Sequence, residues 1–120
     1  MKGPIYQKSH LFSLQVIELY KALQNQKEVV ISKQLLASAT SVGANIHEAS
    51  AANSRKDFIN KMTIASKEAR ESKYWLELVK DSNLVSYDLA NLINLNNEII
   101  KILNSIILTS QGKPKKVPPH

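Results

Sequence analysis

Three histidines, ten carboxylates and no cysteine are the chemical means of this 120-residue chain. Without cysteine there is no disulfide, no thiol nucleophile and no cysteine-ligated zinc. Of the histidines, His120 is terminal and His10 lies at the start of the first periodic segment. His47, beside Glu48, is the one inside a motif. A di-iron bundle needs Glu-x-x-His on two helices and a further Glu from each of the other two. No Glu-x-x-His occurs here, and Glu68 and Glu71 share a helix face with no histidine beside them. The serines lack a His–Asp partner at readable spacing, G-x-S-x-G is absent, and no glycines cluster into a phosphate loop. The expectation is a chain with no catalytic residue, no metal site, no cofactor and no small-molecule substrate.

Charge is the stronger signal. Sixteen Lys and Arg against ten Asp and Glu leave +6 at neutral pH, which draws phosphates at long range. Arg55, Lys56, Lys67, Arg70 and Lys73 occupy a broad side of one segment, where Glu71, Glu77 and Asp81 offset several of them at intrahelical spacings. Lys113, Lys115 and Lys116 stand uncompensated in the tail. These eight residues are the nucleic-acid candidates, with RNA or DNA as partner. No base-stacking platform accompanies them, so phosphate contact is expected to dominate.

The elements that must position these residues are helices. Glycine and proline sit near the two ends, Gly43 excepted, which is hard to reconcile with many short strands. Phe12, Val16, Leu19, Tyr20 and Leu23 recur at threes and fours over 9–26, with Ser9 as N-cap. Ile31, Leu35, Ala39, Val42, Ile46 and Ala49 do so over 30–52. A third segment opens on the capping box Ser54-x-x-Asp57 and runs to 81–83. A fourth starts near Ser86 and carries Leu89, Leu92, Ile93, Ile99, Ile100, Leu103, Ile106 and Ile107. Joints at 27–29, 53 and 84–85 are short, which forces antiparallel neighbours. The predicted fold is all-α, an antiparallel up-down-up-down four-helix bundle over 1–112, followed by a disordered basic tail over 113–120. No apolar run reaches the ~20 residues of a membrane span, the N-terminus lacks a secretory h-region, and the expected setting is the cytoplasm.

Two helices carry faces that a lone bundle does not need. Ile64, Trp75 and Leu78 project away from the Phe58–Leu76 stripe, interleaved with Asp57, Glu68 and Glu71. A tryptophan beside carboxylates outside the core fits an interface. The second helix has little side-chain bulk from Ala37 to Asn45, which permits close packing on two sides. The expected oligomer interface is Gly43, Ala44, His47, Glu48, Ile64, Glu68, Glu71, Trp75 and Leu78.

The stretches Gly43-Ala44-Asn45-Ile46-His47-Glu48-Ala49 and Lys67-Glu68-Ala69-Arg70-Glu71, followed by Tyr74-Trp75-Leu76, carry a family resemblance. The chain resembles the bacterial four-helix-bundle family of 23S rRNA intervening-sequence proteins, related to the accessory variability proteins of diversity-generating retroelements. The resemblance implies a cytoplasmic homopentameric ring, and through the second group a basic pentamer that binds nucleic acid. The combined expectation is a non-enzymatic homo-oligomer, a pentamer, that binds nucleic acid through repeated basic patches. The alternative is a protein-interaction scaffold or adaptor with no nucleic-acid role.

Overall fold

The computed structural model describes residues 3–113. Four helices follow in order: α1 (Pro4–Asn25), α2 (Val30–Ser50), α3 (Arg55–Asp81) and α4 (Ala90–Ser110), with no strand among the described residues. Each helix presents one apolar stripe inward. Phe12, Leu23, Leu35, Ile46, Met62, Leu76, Ile99 and Leu103 are fully buried in a single core.

Side-chain bonds give the helix directions. Gln24 pairs with Ser32 near one end of α1 and α2, while Gly43 meets Ser9 and Ser13 further along. Ser38 meets Ser72 between α2 and α3. Asn96 reaches Ala69, and Asn104 reaches Ser66, between α3 and α4. Lys8 pairs with Glu98 between α1 and α4. In the α1–α2 and α3–α4 pairs, residues later on one helix meet residues earlier on the other, as antiparallel neighbours do. Helix α4 closes the square against α1.

The chain ends of the helices explain where the expected boundaries moved. Helix α1 begins at Pro4 in its first turn, where the missing proline N–H costs nothing. Ser9 is therefore not an N-cap: it is buried in the second turn, its hydroxyl donating to Tyr6 O at 3.1 Å. Ile5, buried one turn earlier, is the stripe residue that extends the helix. Ser54 does cap α3, its Oγ accepting from Asp57 N at 3.0 Å. Helix α4 starts at Ala90 and not near Ser86, with Asp88 Oδ1 accepting from Ala90 N at 2.9 Å. Leu89 is buried but non-helical, so it sits in phase with the stripe without belonging to the helix. The third joint, 82–89, is correspondingly longer than expected. Lys27 (φ 62°) and Asn83 (φ 56°) take the left-handed conformation that ends α1 and α3.

The residue flanking α2, Val29, offers no side-chain cap. Glu28 supplies one instead: its carboxylate accepts from Val30 N (3.1 Å), Ile31 N (2.9 Å) and Ser32 N (2.8 Å). Burial alone would raise this carboxyl, but the backbone N–H bonds from Ile31, Ser32 and Val30 outweigh it and hold it below its ordinary value. A depressed carboxylate contributes stability above its unfolded pKa and loses it as pH falls through the folded value. Glu28→Ala is expected to cost about 1 kcal/mol at pH 7, with the difference from the parent closing below pH 4.5. Urea unfolding at the two pH values checks this, and a pH-independent difference would remove the capping role.

Small polar residues line α3 where its neighbours approach. Ser38 and Ser72 share a buried hydrogen bond of 2.9 Å. Asn96, fully buried on α4, donates from Nδ2 to Ala69 O at 3.0 Å. Its Oδ1 has no partner among the described residues.

Candidate functional site

The flanks of α3 define the site. Ser72 turns toward α2, since its hydroxyl meets Ser38, and it also donates to Glu68 O one turn back. Glu68 therefore lies on the α2 side, and residues spaced alternately by three and four share its flank. These are Ile64, Glu68, Glu71, Trp75 and Leu78, all half-buried except the exposed Glu71. Trp75 Nε1 donates to Glu71 Oε2 at 3.2 Å. Trp75 also leans against the core edge, so the ring is not wholly outside the bundle. Burial, then the Glu71 charge, raise the Glu68 carboxyl above its ordinary value. Asp57 opens this flank, and Lys61, half-buried, is its one cation.

The opposite flank of α3 faces α4. Arg70 Nη2 lies 3.4 Å from Asn104 Oδ1 and marks that side. Arg70 is exposed there and Lys73 half-buried, while Lys67, one turn before Glu71, is exposed on the outward face of the helix. Tyr74, one turn beyond Arg70, is 55 % exposed and meets Trp75 edge-on, with centroids 5.0 Å apart at 64°. An exposed aromatic thus stands one turn from both Arg70 and Glu71. At the start of α3, Arg55 and Lys56 line a groove with Ile59, Ser110 and Gln111 of the α4 end. Lys113 follows two residues later, its N–H bonded to Leu108 O. Lys115, Lys116 and the rest of the expected tail lie outside the described residues.

The intrahelical ion pairs expected along α3 are not formed. The ion pairs among the described residues are Lys8–Glu98 (2.7 Å) and Lys21–Glu18 (3.2 Å), neither of them on α3. The cations of α3 are accordingly available to an outside anion, and its carboxylates to an outside cation.

The small-residue face of α2 divides. Gly43 does not join the Trp75 flank: it faces α1, where an added Cβ would lie 3.6 Å from Ser13 Oγ and 3.8 Å from Ser9 O. Its smallness serves the α1–α2 approach inside one chain. Ala44 and His47 border the same groove, with Tyr6 and His10 opposite. Glu48 is exposed near the end of α2. A Cβ at 3.6 Å is ordinary contact, and mid-helix glycine costs about 0.5–1 kcal/mol relative to alanine. Gly43→Ala is therefore expected to raise the unfolding free energy by about 0.5 kcal/mol or more, read by thermal or urea unfolding. A destabilised variant would show that the approach tolerates no Cβ. Two exposed apolar residues that the stripe analysis missed, Leu11 and Leu14, stand outward on α1 at 46 % and 48 % exposure. Their signal was available, since both lie off the α1 stripe.

Among the described residues no three His, Cys, Asp or Glu side chains gather to hold a metal ion, and no helix is long and apolar enough to cross a membrane. The fold and its two-sided α3 define a helical bundle built around surfaces. The chain belongs to the 23S rRNA-intervening sequence protein family, whose model matches residues 2–105. It is similar to the crystal structure of a protein of unknown function from the S23 ribosomal protein family of Bacteroides thetaiotaomicron. The two share 50 % identity and a TM-score of 0.83, over 86 % of this chain and 97 % of that one. A comparison with curated proteins finds no match.

Proposed function

We propose that this chain is a non-enzymatic homo-oligomer that binds nucleic acid through phosphate contacts, repeated once per subunit. The observation that carries the reading is the groove that Arg55 and Lys56 share with Ser110 and Gln111 at the end of α4. It sets two exposed cations near the end of α4, which the exposed Lys113 follows. None of these three is ion-paired among the described residues. Repetition in an oligomer multiplies such a patch into avidity. The Trp75 flank supports self-association, and the resemblance to pentameric relatives supports five copies. The adaptor reading is favoured by one observation, the exposed Leu11 and Leu14 on α1.

The test is binding of a short labelled RNA and the matching DNA to the full chain, with light scattering on the same samples. Affinity is expected to fall by ~10³-fold between 50 and 200 mM salt. Arg55→Glu with Lys56→Glu and Lys113→Glu should abolish binding at unchanged mass. Salt-insensitive binding, or binding that survives the triple reversal, would overturn the phosphate reading.

A further inference from the structure

Two of the three histidines stand on one groove between α1 and α2, which neither the basic patch nor Trp75 lines. His10 and Tyr6 border it from α1, His47 and Thr40 from α2. The approach of Gly43 to Ser9 and Ser13 sets the register of this antiparallel pair. His47 follows Gly43 by one turn on the same face, and a step forward on α2 is a step back on α1. It therefore stands about level with the turn from Tyr6 to His10. Gly43 presents no side chain to hold the two helices apart. Both histidines are exposed, and neither is ion-paired among the described residues. The hydrogen bond at His47 is made by its backbone carbonyl, which accepts from Ser50 Oγ at 2.6 Å.

We infer that His10 and His47 clamp a single divalent transition-metal ion of the zinc type across the α1–α2 groove. Neutral imidazole is a favoured ligand of zinc, copper and nickel, whereas magnesium and calcium take oxygen. The groove holds about 190 Å³, below the ~300 Å³ at which small-molecule pockets begin. That volume suits an ion and its remaining waters, each needing ~30 Å³. An anion fits less well, because Ser9 and Thr40 spend their hydroxyl protons on their own helices. They donate to Tyr6 O at 3.1 Å and to Leu36 O at 2.8 Å. Two imidazoles are one short of a three-residue cluster, so water fills the other positions and the site stays open. No sequence motif marks such a site, since its ligands come from different helices and meet only when α1 packs on α2. The unfolded chain does not hold the two rings together, so the bound ion stabilises the folded bundle.

The experiment is calorimetric titration of zinc chloride into the full chain, with magnesium chloride as control and thermal unfolding at rising zinc. One zinc per chain is expected, no magnesium, and an unfolding midpoint that climbs with zinc concentration. His10→Ala and His47→Ala should each weaken zinc binding by more than ~10-fold, a loss that even an outer-shell partner can cause. Each should also remove the climb in midpoint, while His120→Ala should change neither readout. Both positions in the groove are exposed, so the substitutions leave the core alone, and circular dichroism on each variant verifies its fold. A parent chain that takes up no zinc overturns the clamp, as does binding that survives either substitution in the groove. One zinc per two chains overturns it too, because the ligands would then come from different copies.

Discussion

Phe12→Ala is expected to lower the free energy of unfolding by about 3–5 kcal/mol. Phe12 is fully buried on α1, within the single core of the bundle. Truncation removes the apolar contacts of the ring and leaves a cavity that rigid neighbouring helices fill only in part. Domains of this kind have a total stability of about 5–15 kcal/mol, so the variant sits near its folding limit. Urea unfolding followed by helical circular dichroism gives the number. A loss below about 1 kcal/mol would mean that α1 is not held to the core as described.

The second large effect concerns association. Trp75→Ala is expected to weaken the proposed self-association by about 2–4 kcal/mol, or roughly 30- to 1000-fold, because it removes a large indole and frees Glu71 from its hydrogen bond. Since Trp75 also leans on the core edge, the variant loses some stability in the monomer. Trp75→Phe separates the two effects: it keeps the core contact and deletes the N–H donor. Light scattering over a concentration series, with a melting curve for each variant, reads both. Full-strength assembly by Trp75→Ala would place the interface elsewhere on the bundle.

Helix number, type and most of the core follow from local periodicity, and the positions of Leu35, Ile46, Leu76 and Leu103 in the buried stripe were all readable that way. Boundaries were less readable where two signals competed. Ser9 has the chemistry of a cap, but Pro4 and Ile5 continue the helix before it. Leu89 has the phase of α4 without its conformation. The candidate site was legible in composition and not in placement. Spacing put Glu68, Glu71 and Trp75 on one side of a helix, as found. It could not show that Gly43 looks toward α1, because smallness does not say which neighbour approaches. Nor could it show Arg55 and Lys56 sharing a groove with Gln111, a neighbourhood made by the packing of α3 against the end of α4. The expected ion pairing along α3 failed for a simpler reason. Intrahelical spacing permits such pairs, but at exposed positions each gains only a few tenths of a kcal/mol, about enough to be cancelled by side-chain freedom.

Asn96 buries an amide in the seam between α3 and α4 and bonds only one of its two ends. An apolar side chain there would fit any register of the two helices about equally well. The amide does not, because sliding α4 by one turn would strip Nδ2 of the Ala69 carbonyl and leave a buried donor without that partner, at a cost of about 1–3 kcal/mol. The residue works as a key cut for one lock position. It gives up some stability so that α4, the helix richest in isoleucine and leucine and the most able to slip, has a single setting against its neighbour.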